Sequence, residues 1–460
     1  MNPSPRIGWL FAYDWDRAAM RRLGAPGGQV RCEHAGFDLF AFPSRLRLPG
    51  FDLEHFAAQQ AARGRRRGWR AVLSHHEQYG ALAAALVAEQ LGLPGATPAS
   101  ILAAQHKLHA RRVLQQVAPE SNLKFTALDA GDDGSSHSTL EFPLFVKPVK
   151  GAFSVLARRA ENPGQLRAHT QFSWRERWLI RQLTEPFERV CLERLPQAGS
   201  AYRMLLEEAV PPQTPQYNLD GWVQAGRVHA LGVVDAIMYP GTQAFMRWEH
   251  PSRLAAAVQR RALGVAQRFL GAIGYTHGFF NLEFFYDEQA DRLCVIECNP
   301  RLAAQFSDLY ERVHGIDAHG MALALALGAN PQSRPRLRPT ADVAASLVYR
   351  AFDPSGVVPA APAASQREAL ARAFPDALLL SFAKRGRALA RDYRWTGSHR
   401  YGIVHLGGHN REHLRQRCED ASALLGWPAP YLDHAPLPAR THAATPAIAS
   451  CTASAEASAV

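Results

Sequence analysis

The chain has 460 residues, 47% of them apolar, and a formal net charge of +11. This length and composition predict a folded protein of two to four units with sizeable cores and exclude a mainly disordered one. No apolar run approaches the ~18 residues a membrane helix needs.

The opening residues, MNPSPRIGWLFAYDWD, lack a basic segment and are broken by Asp14 and Asp16, so no signal peptide is expected. Ile7 to Ala12 reads as a first strand. Six cysteines without a close-spaced framework predict reduced thiols and a cytoplasmic protein. The basic balance is carried by 47 arginines against five lysines, a ratio that a GC-rich coding bias explains as well as function does. The densest basic run, Arg63 to Arg70, is expected to be a solvated loop. With only Trp69 interleaved among its charges, it gives no reason to expect a nucleic-acid partner.

Trp69 to Ser74 reads as a second strand. The turn His75, His76, Glu77 and a nearly all-round apolar helix, Ala81 to Leu91, follow it. Strand, turn and buried helix form the rhythm of a small α/β layer, and the turn after such a strand is where ligand contacts gather. Both histidines are expected in loop hydrogen bonds. Thr97 before Pro98 predicts a helix start, and one helix is expected through ASILAAQHKLHARRVLQQ, carrying Lys107.

A linker without apolar content, 129–139, precedes EFPLFVKPVKGAFSV. There Phe142 to Val146 reads as a buried strand interrupted by Lys147, and Lys150, Gly151 and Ser154 as a turn before another strand. A lysine on an apolar strand needs an anionic partner, because an unpaired buried ammonium is expensive. Turns with free backbone N–H groups can cradle phosphates. The stretch Leu179 to Leu195 mixes helix and strand signals. Arg203 to Val210 reads as a strand ending at Glu207 and Glu208, and Tyr217 to Val223 and Arg227 to Asp235 as a hairpin. An irregular piece, 238–254, then leads to an amphipathic helix, Ala255 to Ile273.

The segment Gly278 to Arg301 reads as two strands joined by a polar turn. Asn281 and Glu283 share one face, with Phe280, Leu282 and Phe284 on the other. In the second strand Glu297, Asn299 and Arg301 share a face, while Cys294, Ile296 and Cys298 point to a core. Two carboxylates and an amide on one sheet face are the oxygen donors Mg²⁺ prefers. A helix pair, Phe306 to Gly328, and a proline-rich connector come next. Strands at Val343 to Phe352, Ala377 to Phe382 and Arg400 to Leu406 follow, with helices at Gln366 to Phe374 and Asn410 to Leu425. The small, polar residues after about Leu437 read as a disordered tail.

Lys107, then Lys147 with its small glycine turn, then Glu283 and Glu297 followed by Asn299, Pro300 and Arg301: in this order the set resembles the ATP-grasp superfamily of carboxylate-amine ligases, over roughly residues 70–430. The resemblance implies an α/β (α+β) ATP-grasp fold. It divides the chain into a Rossmann-like N-terminal domain (1–98), an ATP-grasp domain (99–330), a C-terminal α+β closing domain (331–436) and the tail (437–460). Within the second, a flap-bearing lobe would span about 140–206 and a metal-binding lobe about 207–330.

It also implies ATP and Mg²⁺ (or Mn²⁺) as cofactors, with Lys107 and Lys147 on the phosphates and Lys150, Gly151 and Ser154 in a flap. Glu207 and Glu208 would meet the adenine, largely through backbone groups. Glu283, Glu297 and Asn299 would hold metal, and Arg301 would face the reacting carboxylate. Gln216 and Asp220 stand where a ribose contact is sought, and Ala303 and Ala304 where the family often has glycines. The implied partners are small-molecule carboxylate and amine substrates, with no membrane and a homodimer left open. The implied chemistry is activation of the acid as an acyl phosphate. Biotin-carboxylase-like carboxylation, or nucleotide binding without turnover, are the alternatives. Arg203, Arg247, Arg253 and Arg350 could each bind a substrate carboxylate, and Asp235 could orient a donor; sequence alone assigns none of them.

Overall fold

A computed structural model describes residues 4–24, 30–37, 50–129, 140–151 and 156–432. Ser154 and most of the 129–139 linker lie outside these residues, as does the C-terminal tail.

The chain begins with β1 (Arg6–Leu10), α1 (Asp14–Leu23), β2 (Arg31–Ala35), α2 (Leu53–Arg67), β3 (Trp69–Leu73) and α3 (Gly80–Leu91). The three strands form a parallel sheet in the order β2-β1-β3. The basic run expected as a loop is instead the last turn of α2, closed by Gly68 at φ +69 and followed by β3. Arginines there suit the negative end of the helix dipole, so the run is solvated without being irregular.

Thr97 caps α4 (Pro98–Gln105), accepting a hydrogen bond from the Ser100 N–H. The single helix expected beyond it is broken at His106, whose ψ of 91° is not helical and whose Nδ1 accepts the His109 N–H to start α5 (Lys107–Val117). Lys107 therefore stands at a helix N-terminus. The next strands are β4 (Phe125–Leu128), β5 (Leu144–Pro148) and β6 (Arg158–Ala160), followed by α6 (Pro163–Thr170), α7 (Trp174–Arg194) and β7 (Met204–Glu208). The stretch left undecided by its mixed pattern is helical: α7 runs through Pro186 and buries Phe187, Val190 and Cys191. The strands form an antiparallel sheet, β4-β7-β5-β6.

Strands β8 (Gln216–Gln224) and β9 (Arg227–Met238) form the expected hairpin, turning at Ala225 and Gly226 with φ of +49 and +77. These are followed by β10 (Phe245–His250), α8 (Ala256–Ala272), β11 (Gly278–Asp287), β12 (Arg292–Asn299), α9 (Ser307–His314), α10 (Ala318–Ala326) and β13 (Val343–Ala351). The chain then runs through α11 (Ala364–Ala373), β14 (Leu378–Ser381), α12 (Gly386–Thr396), β15 (His399–Gly408) and α13 (Arg411–Leu425). One sheet takes in eight strands, β12-β11-β8-β9-β10-β13-β15-β14.

Strand β10 falls in the piece expected to be irregular. It pairs with β9 on one side and β13 on the other, so the strands expected in a separate C-terminal unit continue the central sheet. The apolar faces of β8 and β11 pack against α3, α4, α5, α7 and α8 in one core, and a second core joins β1 and β3 to β9, β10, α9 and α10. Phe280, fully buried, packs where Gly221 leaves room: a Cβ there would lie 2.6 Å from its ring. Phe280→Ala is expected to lower unfolding stability by about 3–5 kcal/mol, read as an earlier denaturant midpoint.

Candidate functional site

In the β11–β12 pair, Glu283 stands directly opposite Glu297 and Asn281 opposite Asn299. Two carboxylates in such cross-strand positions repel. The repulsion is divided unequally. Burial first, then the Glu297 and Glu77 charges, push the Glu283 carboxyl up from 4.5 to about 8. Burial would raise Glu297 too, but the Lys107 and Lys147 charges outweigh it and hold that carboxyl far below its ordinary value. Lys107 Nζ lies 3.0 Å from Glu297 Oε2. Glu283 receives hydrogen bonds from Gln216 Nε2 at 3.0 Å and Asn299 Nδ2 at 3.1 Å. The Asn299 amide nitrogen is thus used, and its carbonyl oxygen is the donor it can offer a cation.

A bulge between Glu283 and Phe284 inserts Ile296 as the unmatched residue of β12. Ile296 is only half-buried, not the core residue expected, while its neighbour Val295 takes the core position. The bulge turns the Ile296 carbonyl to use: it accepts from Arg111 Nη2 at 3.1 Å and Lys147 Nζ at 3.5 Å.

Lys147 finds its anionic partner inside the protein. Its Nζ lies 2.8 Å from Glu207 Oε2, while Arg111 Nε holds Glu207 Oε1 at 2.6 Å. Glu207 is 2% exposed, and its strand lies between β4 and β5, opposite Phe125 and Phe145. The backbone at Glu207 belongs to the sheet ladder, and its side chain fixes the lysine. Glu208, at the edge of the same strand, bonds Arg292 and accepts the Lys124 N–H. Arg111 was not anticipated, because an arginine among 47 carries no sequence signal and its partner is 96 residues away.

Arg301 donates from Nη2 to Glu77 Oε2 at 2.8 Å, joining β12 to the turn after β3. Gln105 Nε2 donates to the Glu77 carbonyl at 2.7 Å and Gln105 Oε1 accepts from Lys150 at 3.0 Å. Lys150 also lies over the Phe187 ring. Burial, then the Lys107 charge, bring the Lys150 amine down to about 7, so an arriving anion would find it ready to charge. Lys107 Nζ additionally donates to the Gly151 carbonyl at 2.8 Å. The structure therefore brings together Lys107, Lys147, Lys150, Gly151, Glu283, Glu297, Asn299 and Arg301.

Other candidates lie elsewhere. His75 Nδ1 bonds Asp16 at 2.7 Å and His76 Nδ1 accepts the Tyr79 N–H, the loop roles expected of them. Asp220 is buried between Tyr310 and Asn281, and Asp235 accepts from Ser252 and the Arg253 N–H. Asp235 thus orders a turn, and nothing ties it to a donor.

A family model described as "Carbamoyl-phosphate synthase L chain, ATP binding domain" matches residues 234–333. Carnosine synthase 1 of Gallus gallus is 30% identical over 267 residues, 55% of this chain and 27% of that protein. The chain therefore spans well under half of that relative. Among solved structures, the L-amino acid ligase from Bacillus licheniformis is similar with a TM-score of 0.64 at 15% identity, over 92% of this chain and 98% of that one. The chain has the ATP-grasp fold. Biotin carboxylase from Campylobacter jejuni is also similar, with a TM-score of 0.57 at 15% identity over 91% of each chain.

For an ATP-grasp fold, the donor set suits a hard dication: two half-buried facing carboxylates and an amide oxygen, with one carboxyl pushed up to about 8 by burial and the neighbouring Glu297 and Glu77 charges. Between 4.5 and about 8, folded Glu283 retains a proton that the unfolded chain has lost, so stability falls as pH rises through that window. A cation needs the ionised form. The apparent Mg²⁺ affinity is expected to climb about tenfold per pH unit below pH ~8 and level off above it. Mg²⁺ titrations followed by tryptophan fluorescence from pH 6 to 9 check this, and Glu283→Gln should flatten the profile.

Proposed function

We propose that the protein is an ATP- and Mg²⁺-dependent ligase that activates a carboxylate as an acyl phosphate for attack by an amine, with amino acids as the first substrates to try. The observation that carries this reading is the facing pair Glu283 and Glu297 with Lys107 on one of them and Arg301 just beyond the end of the same strand. The names of two similar proteins, a carnosine synthase and an L-amino acid ligase, support it.

A carboxylate is a poor electrophile. Its oxygen attacks the γ-phosphorus of ATP, the bond to ADP breaks, and the resulting acyl phosphate carries a good leaving group. The amine then attacks the carbonyl carbon, phosphate departs, and the nitrogen loses a proton. Most of the work is positioning and charge neutralisation. Lys107 and Lys147 would hold the phosphates, releasing Glu297 and sharing Glu207. Arg301 would leave Glu77 for the substrate carboxylate and acyl phosphate. Lys150, Gly151 and Ser154 would cover the phosphates and keep water away. Glu208 and the chain after it would border the adenine. Glu283, Glu297 and Asn299 would hold Mg²⁺, which when bound neutralises phosphate charge.

The five described cysteines are free and no described helix is long and apolar enough to cross a membrane, which suits a cytoplasmic enzyme. ADP release from ATP and Mg²⁺ with a panel of amino-acid pairs is the test. Turnover is expected with at least one pair, and Glu297→Gln should lower kcat/KM at least about 10²-fold. Absence of ADP across the panel, in protein that ATP still stabilises against heat, would count against the reading.

A further inference from the structure

Glu77 joins the cleft through Arg301, and two residues before it His75 takes part in a second polar cluster. His75 Nδ1 lies 2.7 Å and His319 Nε2 3.3 Å from the same atom, Asp16 Oδ1. The three residues offer ligand atoms that all lie within 4.8 Å of one another. They come from separate parts of the chain: Asp16 from the first turn of α1, His75 from the turn after β3 and His319 from the first turn of α10. All three are buried, at 0%, 3% and 5% exposure.

Contacts outside the cluster hold it in place. Arg22, near the far end of α1, lies 2.7 Å from Glu311 and 2.7 Å from Asp317, the residue that caps α10. The Tyr13 N–H donates to Asp16 Oδ2 at 2.8 Å, which leaves Oδ1 to the imidazoles. Trp9 of β1 packs edge-on against His75, with ring centroids 5.4 Å apart, and at a tilt against His319, at 6.2 Å. Carboxylate and rings are thereby oriented as outer contacts orient the ligands of a metal.

The charge of the cluster is the anomaly. Among the described residues Asp16 has no lysine or arginine partner, only two imidazoles and a backbone N–H. A carboxylate wholly removed from water is expensive to ionise without a cation. A proton on one imidazole would balance it, but that uses one nitrogen, and here two converge on one oxygen. Zn²⁺ with bonds of about 2.0–2.1 Å in tetrahedral geometry sets neighbouring donors roughly 3.3 Å apart. His319 Nε2 and Asp16 Oδ1 already stand at 3.3 Å, and His75 Nδ1 has only to draw back about 0.6 Å from its 2.7 Å contact.

We propose that Asp16, His75 and His319 bind a first-row transition dication, with Zn²⁺ the first to try, at a site separate from the Mg²⁺ floor. Two imidazoles and one carboxylate suit such an ion, whereas Mg²⁺ prefers oxygen donors throughout. The fourth position falls to water. With every protein ligand buried, the ion serves to tie α1, the β3 turn and α10 together. The turn it fixes carries Glu77, which holds Arg301 at 2.8 Å, so the site braces that side of the cleft. The metal site does not rest on the ligase reading.

The test is titration of the full chain, freed of metal by chelation and dialysis, with Co²⁺ and then Zn²⁺. One equivalent of Co²⁺ should produce the visible d–d absorption of a four-coordinate ion, and Zn²⁺ should abolish it. His319→Gln should weaken Co²⁺ binding at least about tenfold. Glu297→Gln, on the Mg²⁺ floor, and His409→Ala, in the stacked His409–His413 pair, should leave the band unchanged. Wild-type crystals grown with Zn²⁺ provide a readout that needs no variant: an anomalous peak about 2.0–2.2 Å from Asp16, His75 and His319. No band in wild type, a band that survives His319→Gln, or zinc-grown crystals without a peak between the three side chains would overturn the proposal.

Discussion

Two carboxylates held face to face on a buried sheet are the constraint on which the rest of the cleft depends. Glu283 and Glu297 cannot both be ionised in that setting without help, and the surrounding protein supplies it unequally. Lys107 reaches Glu297 because the helix break at His106 places it at the start of α5. Lys147 adds its charge from a second sheet, positioned by Glu207 and Arg111. The arrangement is a charge balance with one place left: burial and the Glu297 and Glu77 charges push the Glu283 carboxyl up to about 8, and a cation would favour its ionised form. Lys107, now paired with Glu297, becomes available to phosphate once metal takes that carboxylate over, while Lys147 stays positioned by Glu207. A cleft without ligand is thereby kept from being a cluster of unpaired buried charges, which would be destabilising.

The fold gives these residues independent origins. The carboxylates come from the eight-stranded sheet, Lys147 and Glu207 from the four-stranded one, Lys107 from the helix start between them, and Glu77 from the turn after a parallel strand. Parts of a cleft mounted on separate sheets can change spacing without unfolding, which suits a site that must admit and then enclose a nucleotide. The Ile296 bulge ties two of these bodies together, since its carbonyl accepts from both Arg111 and Lys147.

The β11–β12 hairpin was legible because its charges alternate with Phe, Leu and Cys at strict strand spacing, so one face declared itself polar. The parallel N-terminal unit was legible in part, from β1, β3 and the apolar helix α3, while α1, β2 and α2 carried no clear pattern. Strand β10 was not legible: Arg247 and Glu249 sit inside it, and they are tolerated because they pair with each other and Tyr431 bonds Glu249 from 182 residues away. The continuity of the large sheet rests on β10 pairing with β13, a non-local contact that local pattern does not encode. Likewise, the resemblance gave Glu207 an adenine-side place and no side-chain partner. Only the meeting with Arg111, 96 residues apart, reveals it as the residue that fixes Lys147.

The central claim is that the Glu283 and Glu297 face is a cation floor beneath a nucleotide. Its most direct test is anomalous X-ray diffraction from crystals grown with Mn²⁺ and a non-hydrolysable ATP analogue. The account predicts a Mn²⁺ peak in contact with both carboxylates and with Asn299, beside the analogue's phosphates, with Lys107 moved off Glu297. Phosphates bound in the cleft with Mn²⁺ elsewhere, or an intact Lys107–Glu297 pair beneath bound nucleotide, would contradict it.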